Sequence, residues 1–385
     1  MIKNMGTLII FSSCICLYYF LFGAIDKNNR LYVSPINLDV IFLFFLSFNL
    51  LFLMTSNRTG YDAISYSRFF GLVKSFGTNY YGDITYQAFY LLISFITAFI
   101  TNITYPEFQA LILSFLAIFF IYPFLFKNSH SVVTVLSLYI LSGVYASDGM
   151  QFKNFIAVVF VLFSSRYVLH EDPVFWKFYV MLLVAACFQF SVVVYAFFPL
   201  IHFKNIRRIT PIFPIIGVLV YLISFIIGPV LTSNTLIILS KLPFMNKLLI
   251  YSTSFSGIRS LFPVILYLMI LLMLSYFRKY QALLSRKSFF FLECMIQIWR
   301  IQGLIVPFLI IANAPYRLFR NLYLLVFIAA TNIILELPNK SSKRFISVFI
   351  LVGIALIIYY YPILLKQDID IYLPVYESNS FFWEE

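Results

Sequence analysis

Charge is the scarcest commodity in this sequence. Of 385 residues only 11% are Asp, Glu, Lys or Arg, 62% are hydrophobic and 20% are aromatic, and the mean hydropathy is +0.94. A soluble domain needs about a quarter charged residues to wet a closed surface, so a soluble globular fold is excluded and the excess apolar surface must face lipid. Cysteine and histidine are equally sparse. Cys14, Cys16, Cys187 and Cys294 all lie inside apolar runs without a C-x-x-C pair, which argues against a disulfide framework or a zinc site. His130, His170 and His202 sit at the ends of runs, where an interfacial role is expected. There is no Gly-rich phosphate loop, no H-E-x-x-H and no triad arrangement, and neither a metal nor another cofactor is expected. No internal repeat is visible, which argues against an inverted-repeat transporter.

What the sequence does contain is apolar runs. Candidate spans fall near 6–24, 38–55, 85–101, 107–126, 131–147, 152–169, 175–202, 211–232, 261–277, 289–312, 318–336 and 345–365. A helix needs about 20 apolar residues to cross the ~30 Å hydrocarbon layer. The chain therefore reads as an all-α, polytopic integral membrane protein with about 11–12 transmembrane helices, forming a single transmembrane domain over residues 1–385. The first run lacks an A-x-A cleavage site and reads as a retained span rather than a signal peptide.

The net charge of +12 comes from 27 basic against 15 acidic side chains, and in such a chain it reports loop bias before it reports nucleic acid. Three loops are basic and nearly free of acid: Lys204, Arg207 and Arg208; Arg278, Lys279, Arg286 and Lys287; and Lys340, Lys343 and Arg344. The positive-inside rule places them in the cytoplasm. Two runs separate each loop from the next, and the acidic tail falls outside. Counting back makes 56–84 and 233–260 extracytoplasmic loops. The same count puts Asp148 to Asn154 inside and His170 to Pro173 outside. If the long 175–202 run is instead two half-helices meeting near Gln189, those loops change sides, and such broken helices line polar cavities in membrane enzymes and transporters.

Four polar groupings stand out. In 56–84, Arg58, Asp62 and Arg68 alternate in charge beside Tyr61, Tyr66, Tyr80 and Tyr81. Aromatic faces with nearby carboxylate and guanidinium groups suit a sugar, although an interfacial aromatic belt has the same composition. Asp148, Gln151, Lys153 and Asn154 interrupt the apolar pattern; the three-residue spacing of Asp148, Gln151 and Asn154 puts these on one helix face, and polar residues at membrane depth are functional candidates, the alternative being a solvated turn. Gln189 and Ser191 lie inside a run, where interhelical hydrogen bonding is the simpler role. Last, Asn313 to Tyr323 carries Arg317 and Arg320 on the outer side. External arginines run against positive-inside statistics, and a bound anion such as pyrophosphate explains them, since guanidinium donates in a fork and keeps its charge. Glu293, Gln297 and Arg300 share one helix face and read as an ion-pair network.

The order of these pieces resembles a family. Arg58-Thr-Gly60-Tyr-Asp62-Ala-Ile-Ser-Tyr66 is similar to the R-x-G-x-D-x-x-x-Y element of EpsG-like, Wzy-type polysaccharide polymerases. Tyr86-Gln-Ala-Phe89-Tyr90 stands where the family has E-P-x-F-Y, Lys153-Asn154-Phe-Ile-Ala157 where it has R-Q-x-x-A, Gln189-Phe-Ser191 where it has H-x-S, and Arg320-Asn-Leu-Tyr323 where it has R-x-x-Y-F. The departures are chemical: Lys153 keeps a cation but loses the fork, and Gln189 is no proton acceptor at neutral pH.

The resemblance implies a GT-C-like membrane fold in the bacterial inner membrane, with its active site toward the periplasm or cell exterior. It implies polymerisation of O-antigen or capsule, the growing chain passing from undecaprenyl pyrophosphate to an incoming lipid-linked repeat unit. A flippase and a chain-length regulator would be its partners, with no nucleic acid. Arg58, Lys153, Arg317 and Arg320 then suit the leaving pyrophosphate. Asp62, or Asp148 as second choice, suits the acceptor hydroxyl, while Tyr61, Tyr66, Asn154 and Gln189 complete the substrate contacts. The competing readings are a flippase for the same lipid-linked glycan, whose loss leaves no repeat unit on the surface where polymerase loss leaves one, and another membrane transferase such as an O-antigen ligase or an acetyltransferase.

Overall fold

The computed structural model describes residues 38–56, 61–76, 87–227, 260–310, 315–338 and 341–364, with isolated positions at 234, 237 and 238. The 6–24 run, Arg58 and nearly all of the 233–260 loop lie outside the described residues. Among the described residues all regular structure is helical. Five helices are long and apolar enough to cross a membrane, six if one bent pair forms a single span, and the other apolar helices are 10–17 residues long. The chain divides into two compact units, Met1–Ala196 with Ala330–Glu385, and Phe197–Ala329.

The first unit contains α1 (Leu38–Ser56), α2 (Tyr61–Phe76), α3 (Gln87–Phe99) and α4 (Tyr105–Asn128). These are followed by α5 (Val132–Leu141), α6 (Val144–Met150), α7 (Phe152–Ser165) and α8 (Phe175–Phe188). Helix α4 starts where the sequence says it should. Thr104 accepts from the Glu107 amide, the Glu107 carboxylate accepts from the Thr104 amide at 2.8 Å, and Pro106 occupies the first turn, a reciprocal cap that satisfies orphan amides with no water at hand. The 131–147 run is not one helix. Gly143 takes a left-handed φ of 67°, and α5 and α6 meet at 78°. At Gly149 the backbone of α6 lies against that of α1, where an added Cβ would stand 2.7 Å from the Met54 carbonyl oxygen. Close approach through a glycine is how membrane helices gain packing energy without a hydrophobic driving force.

Ring contacts fix the direction of α7. Phe152 at its start touches Phe108 near the start of α4 (6.1 Å between centroids), while Phe160 and Phe163 touch Phe120 further along (5.0 and 4.9 Å). The two helices therefore run parallel, and the bent pair α5–α6 carries the chain from the Asn128 end of the unit to the Tyr105 end. The 175–202 run is also broken, near Gln189 as the sequence allowed. Helix α8 ends at Phe188, Gln189 is extended, and a 3-10 segment follows (Phe190–His202). The Tyr179 hydroxyl donates to the Ala196 carbonyl at 3.3 Å. On a continuous helix those residues would lie roughly 25 Å apart, so the segment doubles back along α8.

The Asn128 end of the unit is closed by the last turns of α13 (Tyr316–Glu336). Asn332 accepts from the His130 amide at 2.8 Å and donates to the Asn128 carbonyl at 2.7 Å, while His130 Nε2 and Glu336 Oε1 meet at 2.7 Å. His130 and Glu336 therefore share one end, and Asp148 to Asn154 occupy the other. A scheme in which each run crosses once puts His130 and Glu336 on opposite sides; the broken-helix alternative is the one found. Helix α14 (Ser342–Leu364) packs along α5.

The second unit holds α9 (Lys204–Ile209), α10 (Ile212–Ile227), α11 (Leu261–Leu283), α12 (Arg286–Ile310) and the first turns of α13. Its centre is a glycine crossing: a Cβ on Gly217 would lie 2.0 Å from the Gly303 carbonyl oxygen, and one on Gly303 would lie 2.7 Å from the Pro214 nitrogen. Beside it Trp299 and Tyr267 exchange hydrogen bonds to each other's carbonyls (2.9 and 3.2 Å), with Phe319 set edge-on to both rings. The face of Glu293, Gln297 and Arg300 is an ion-pair and hydrogen-bond surface, but with other partners. Glu293 pairs with Arg278 at 2.6 Å and Gln297 accepts from Thr210.

Candidate functional site

The 56–84 stretch, expected as a loop, carries helix α2. Ala63, Tyr66, Phe70 and Val73 recur at helical spacing and are buried, whereas Ile64, Ser67, Arg68 and Lys74 are exposed. An apolar stripe of this kind needs a helix to gather it on one side. Asp62 lies in the first turn, half-buried, where the amide dipoles of the helix favour a negative charge. The Lys74 ammonium donates to the Ile103 carbonyl at 2.9 Å, pinning the far end of α2 beside the start of α4.

Aromatic rings join α2 to the polar junction of α6 and α7. Tyr66 meets Phe89 edge-on at 5.6 Å, Phe89 meets Phe152 at 6.1 Å, and Phe70 and Phe152 both contact Phe108, at 5.3 and 6.1 Å. Phe152 immediately precedes Lys153 and Asn154. Two elements some ninety residues apart in the chain thus share one aromatic core at the Tyr105 end of the first unit. Tyr105 contributes its own ring there, 5.7 Å from Phe70.

The junction is polar and dry. Asp148, Gln151, Lys153 and Asn154 are only 4, 4, 6 and 5% exposed, so the solvated-turn reading fails. The Tyr139 hydroxyl donates to Asp148 Oδ2 at 2.5 Å, and the Gln109 amide donates to the Gly149 carbonyl at 3.4 Å. An acid and a base buried within six residues of each other in a membrane protein are costly, which keeps them candidates for a functional role. Nor do Asp148, Gln151 and Asn154 line one helix face as their spacing predicted. Gln151 breaks the helix at φ −93° and ψ 48°, so α6 and α7 present their polar groups from two directions.

The other expected residues are dispersed. Gln189 sits at the apex of the α8 hairpin, half-buried, and its amide donates to the Ser191 hydroxyl at 3.2 Å. Phe188 beside it stacks on Phe160, two turns along α7 from Lys153, or about 10 Å. Arg317 is half-buried and Arg320 buried in the first turns of α13, within the second unit. Tyr61 is the first residue of α2, and its side chain is outside the described residues, as is Arg58. Among the described residues no three His, Cys, Asp or Glu side chains gather as a metal site. Tyr139, Gln109 and the Phe89–Phe108–Phe152 cluster escaped the sequence reading because each looks like ordinary filling of an apolar run.

Several helices long and apolar enough to cross a membrane, some of them broken, around a buried polar junction define a polytopic membrane protein. Residues 41–378 match the EpsG family, and the chain belongs to it, a family of membrane proteins akin to polysaccharide polymerases. No curated protein and no solved structure gives a significant match.

Proposed function

We propose that the protein polymerises a surface polysaccharide, O-antigen or capsule, from repeat units carried on undecaprenyl pyrophosphate, at the outer face of the bacterial inner membrane. The observation that carries this reading is the common aromatic core beneath α2 and the α6–α7 junction, which brings the Asp62 helix and the start of α7, with Lys153 and Asn154, together at one end of one unit.

Charge supports the orientation. Glu336 leads into the basic loop with Lys343 and Arg344, and the end it shares with His130 also receives Lys127 and, from the far end of α7, Arg166 and Lys177. Taken as the cytoplasmic end, it leaves Asp62, Arg68, Lys74, Asp148 and Lys153 facing outward.

In the reaction the bond between the anomeric carbon of the growing chain and its pyrophosphate oxygen breaks. A bond forms from that carbon to a hydroxyl oxygen of the incoming unit, whose proton must be taken up. Lys153, Arg58, Arg317 and Arg320 are assigned to the pyrophosphate, whose charge grows as it leaves. Asp62 is assigned to the acceptor hydroxyl as base or as the group that orients it, with Asp148 the second carboxylate of the same end. Tyr61 and Tyr66 offer rings to the sugars, and Asn154 and Gln189 offer amides.

The test is Asp62→Asn expressed at normal level in a deletion strain. Surface glycan should stop at a single repeat. A full ladder of chain lengths would refute the assignment, and an empty surface would point to a flippase instead.

A further inference from the structure

We infer that Tyr139 is a positioning residue for the reaction, one that holds Asp148 in its working place. The inference rests on the reading of Asp148 as a carboxylate of the reacting end. Nine residues separate the two, which on a straight helix would set them about 13 Å apart along the axis. They meet because α5 and α6 bend by 78° at the left-handed Gly143, and the 2.5 Å bond from the phenol to Oδ2 spans that bend. Ser142 completes the corner by donating to the Tyr139 carbonyl at 2.9 Å, satisfying a backbone acceptor that the break would otherwise strand in lipid.

Both side chains are buried. A hydroxyl donating to a carboxylate in a buried site is a strong, directional contact, and it fixes the rotamer that Asp148 presents. On the other flank, Gly149 is pressed against the Met54 backbone and accepts from Gln109. Asp148 is therefore held by its own side chain on one side and by its neighbour's backbone on the other, an unusual investment for a merely structural acid.

The experiment uses full-length protein in nanodiscs and the lipid-linked repeat that accumulates in the deletion strain, comparing wild type, Tyr139→Phe and Asp148→Asn. Tyr139→Phe removes one oxygen and keeps the ring. It should lower kcat ten- to a hundredfold while leaving KM within twofold and the melting temperature near wild type. Unchanged turnover would overturn the inference. So would a loss matched by a raised KM or a depressed melting temperature, which would mark the phenol as a pin for the bend and nothing more. If Asp148→Asn itself turns over at the wild-type rate, the role of Asp148 falls and takes the inference with it. If Asp148→Asn is crippled and Tyr139→Phe is not, the inference alone fails.

Discussion

Replacing Gly149 with alanine should damage the protein, and with it the proposed activity, well beyond the size of one methyl group. The new carbon would lie 2.7 Å from the Met54 carbonyl oxygen, 2.9 Å from its Cα and 3.2 Å from its carbonyl carbon. Ordinary contact for such atoms is about 3.5 Å, so the overlaps run from roughly 0.3 to 0.8 Å. Every atom in the way is backbone, so no side chain can rotate to relieve it, and α6 must move off α1 by a comparable amount. That shift opens the 3.4 Å bond from Gln109 to the Gly149 carbonyl and displaces Asp148 next door. Overpacking of this kind costs about 1–3 kcal/mol, and misplacing a catalytic group by ~1 Å can cost about a hundredfold in rate. The expected result is a modest fall in melting temperature in detergent with a ten- to hundredfold loss of polymerisation, read as the ladder in cells and as turnover in nanodiscs. Gly71→Ala is the control. Nothing lies within 4 Å of a Cβ there, and on the exposed face of α2 the change should stabilise by about 0.5–1 kcal/mol from helix propensity with the ladder unchanged. A Gly149→Ala enzyme that polymerises like wild type would refute the argument that α1 positions Asp148.

Other outcomes follow from the same contacts. Arg320→Glu should weaken retention of the lipid-linked repeat and shorten the ladder, and unchanged affinity and turnover would remove Arg320 from pyrophosphate binding. Asn332→Leu strands the His130 amide and the Asn128 carbonyl and should cost about 2–4 kcal/mol by denaturant titration, whereas His130→Ala, at a pair whose histidine is 40% exposed, should cost under ~1 kcal/mol. With Cys187 replaced by serine, Arg68→Cys should react with an impermeant thiol reagent in intact spheroplasts and Lys177→Cys only after lysis. The reverse pattern would invert the proposed orientation.

Much of the architecture was legible because lipid simplifies the problem: each apolar run from residue 38 onward holds a helix. The breaks were legible only where a polar residue marked them. Gln189 and Ser191 announce the turn in 175–202, while Ser142–Gly143 is too short a signal inside 131–147 to show a 78° corner. Helix α2 was hidden by its own composition, since its charges and tyrosines read as loop chemistry until Ala63, Tyr66, Phe70 and Val73 find a shared surface to bury. The site was legible as a list of residue types and not as a place. Asp148 declared itself as an acid in an apolar setting, but its partner Tyr139 is one aromatic among many, and only the bend makes them neighbours. The pairing of α2 with the α6–α7 junction depends on phenylalanines whose sequence carries no trace of whom they will touch.

The hairpin formed by α8 and the 3-10 segment changes the parity of the chain. A segment that turns at Gln189 and comes back contributes zero crossings, so on the proposed orientation the loops at 148–154 and 170–173 lie on the faces opposite to those that counting apolar runs assigns. Parity is a global property that a local fold can shift, and under the proposed function it bears on whether Asp148 and Lys153 would meet substrate that has already left the cytoplasm or substrate that has not. On that reading, an insertion that straightened the 188–190 turn would leave each helix intact and still carry Asp148 and Lys153 to the other side of the membrane.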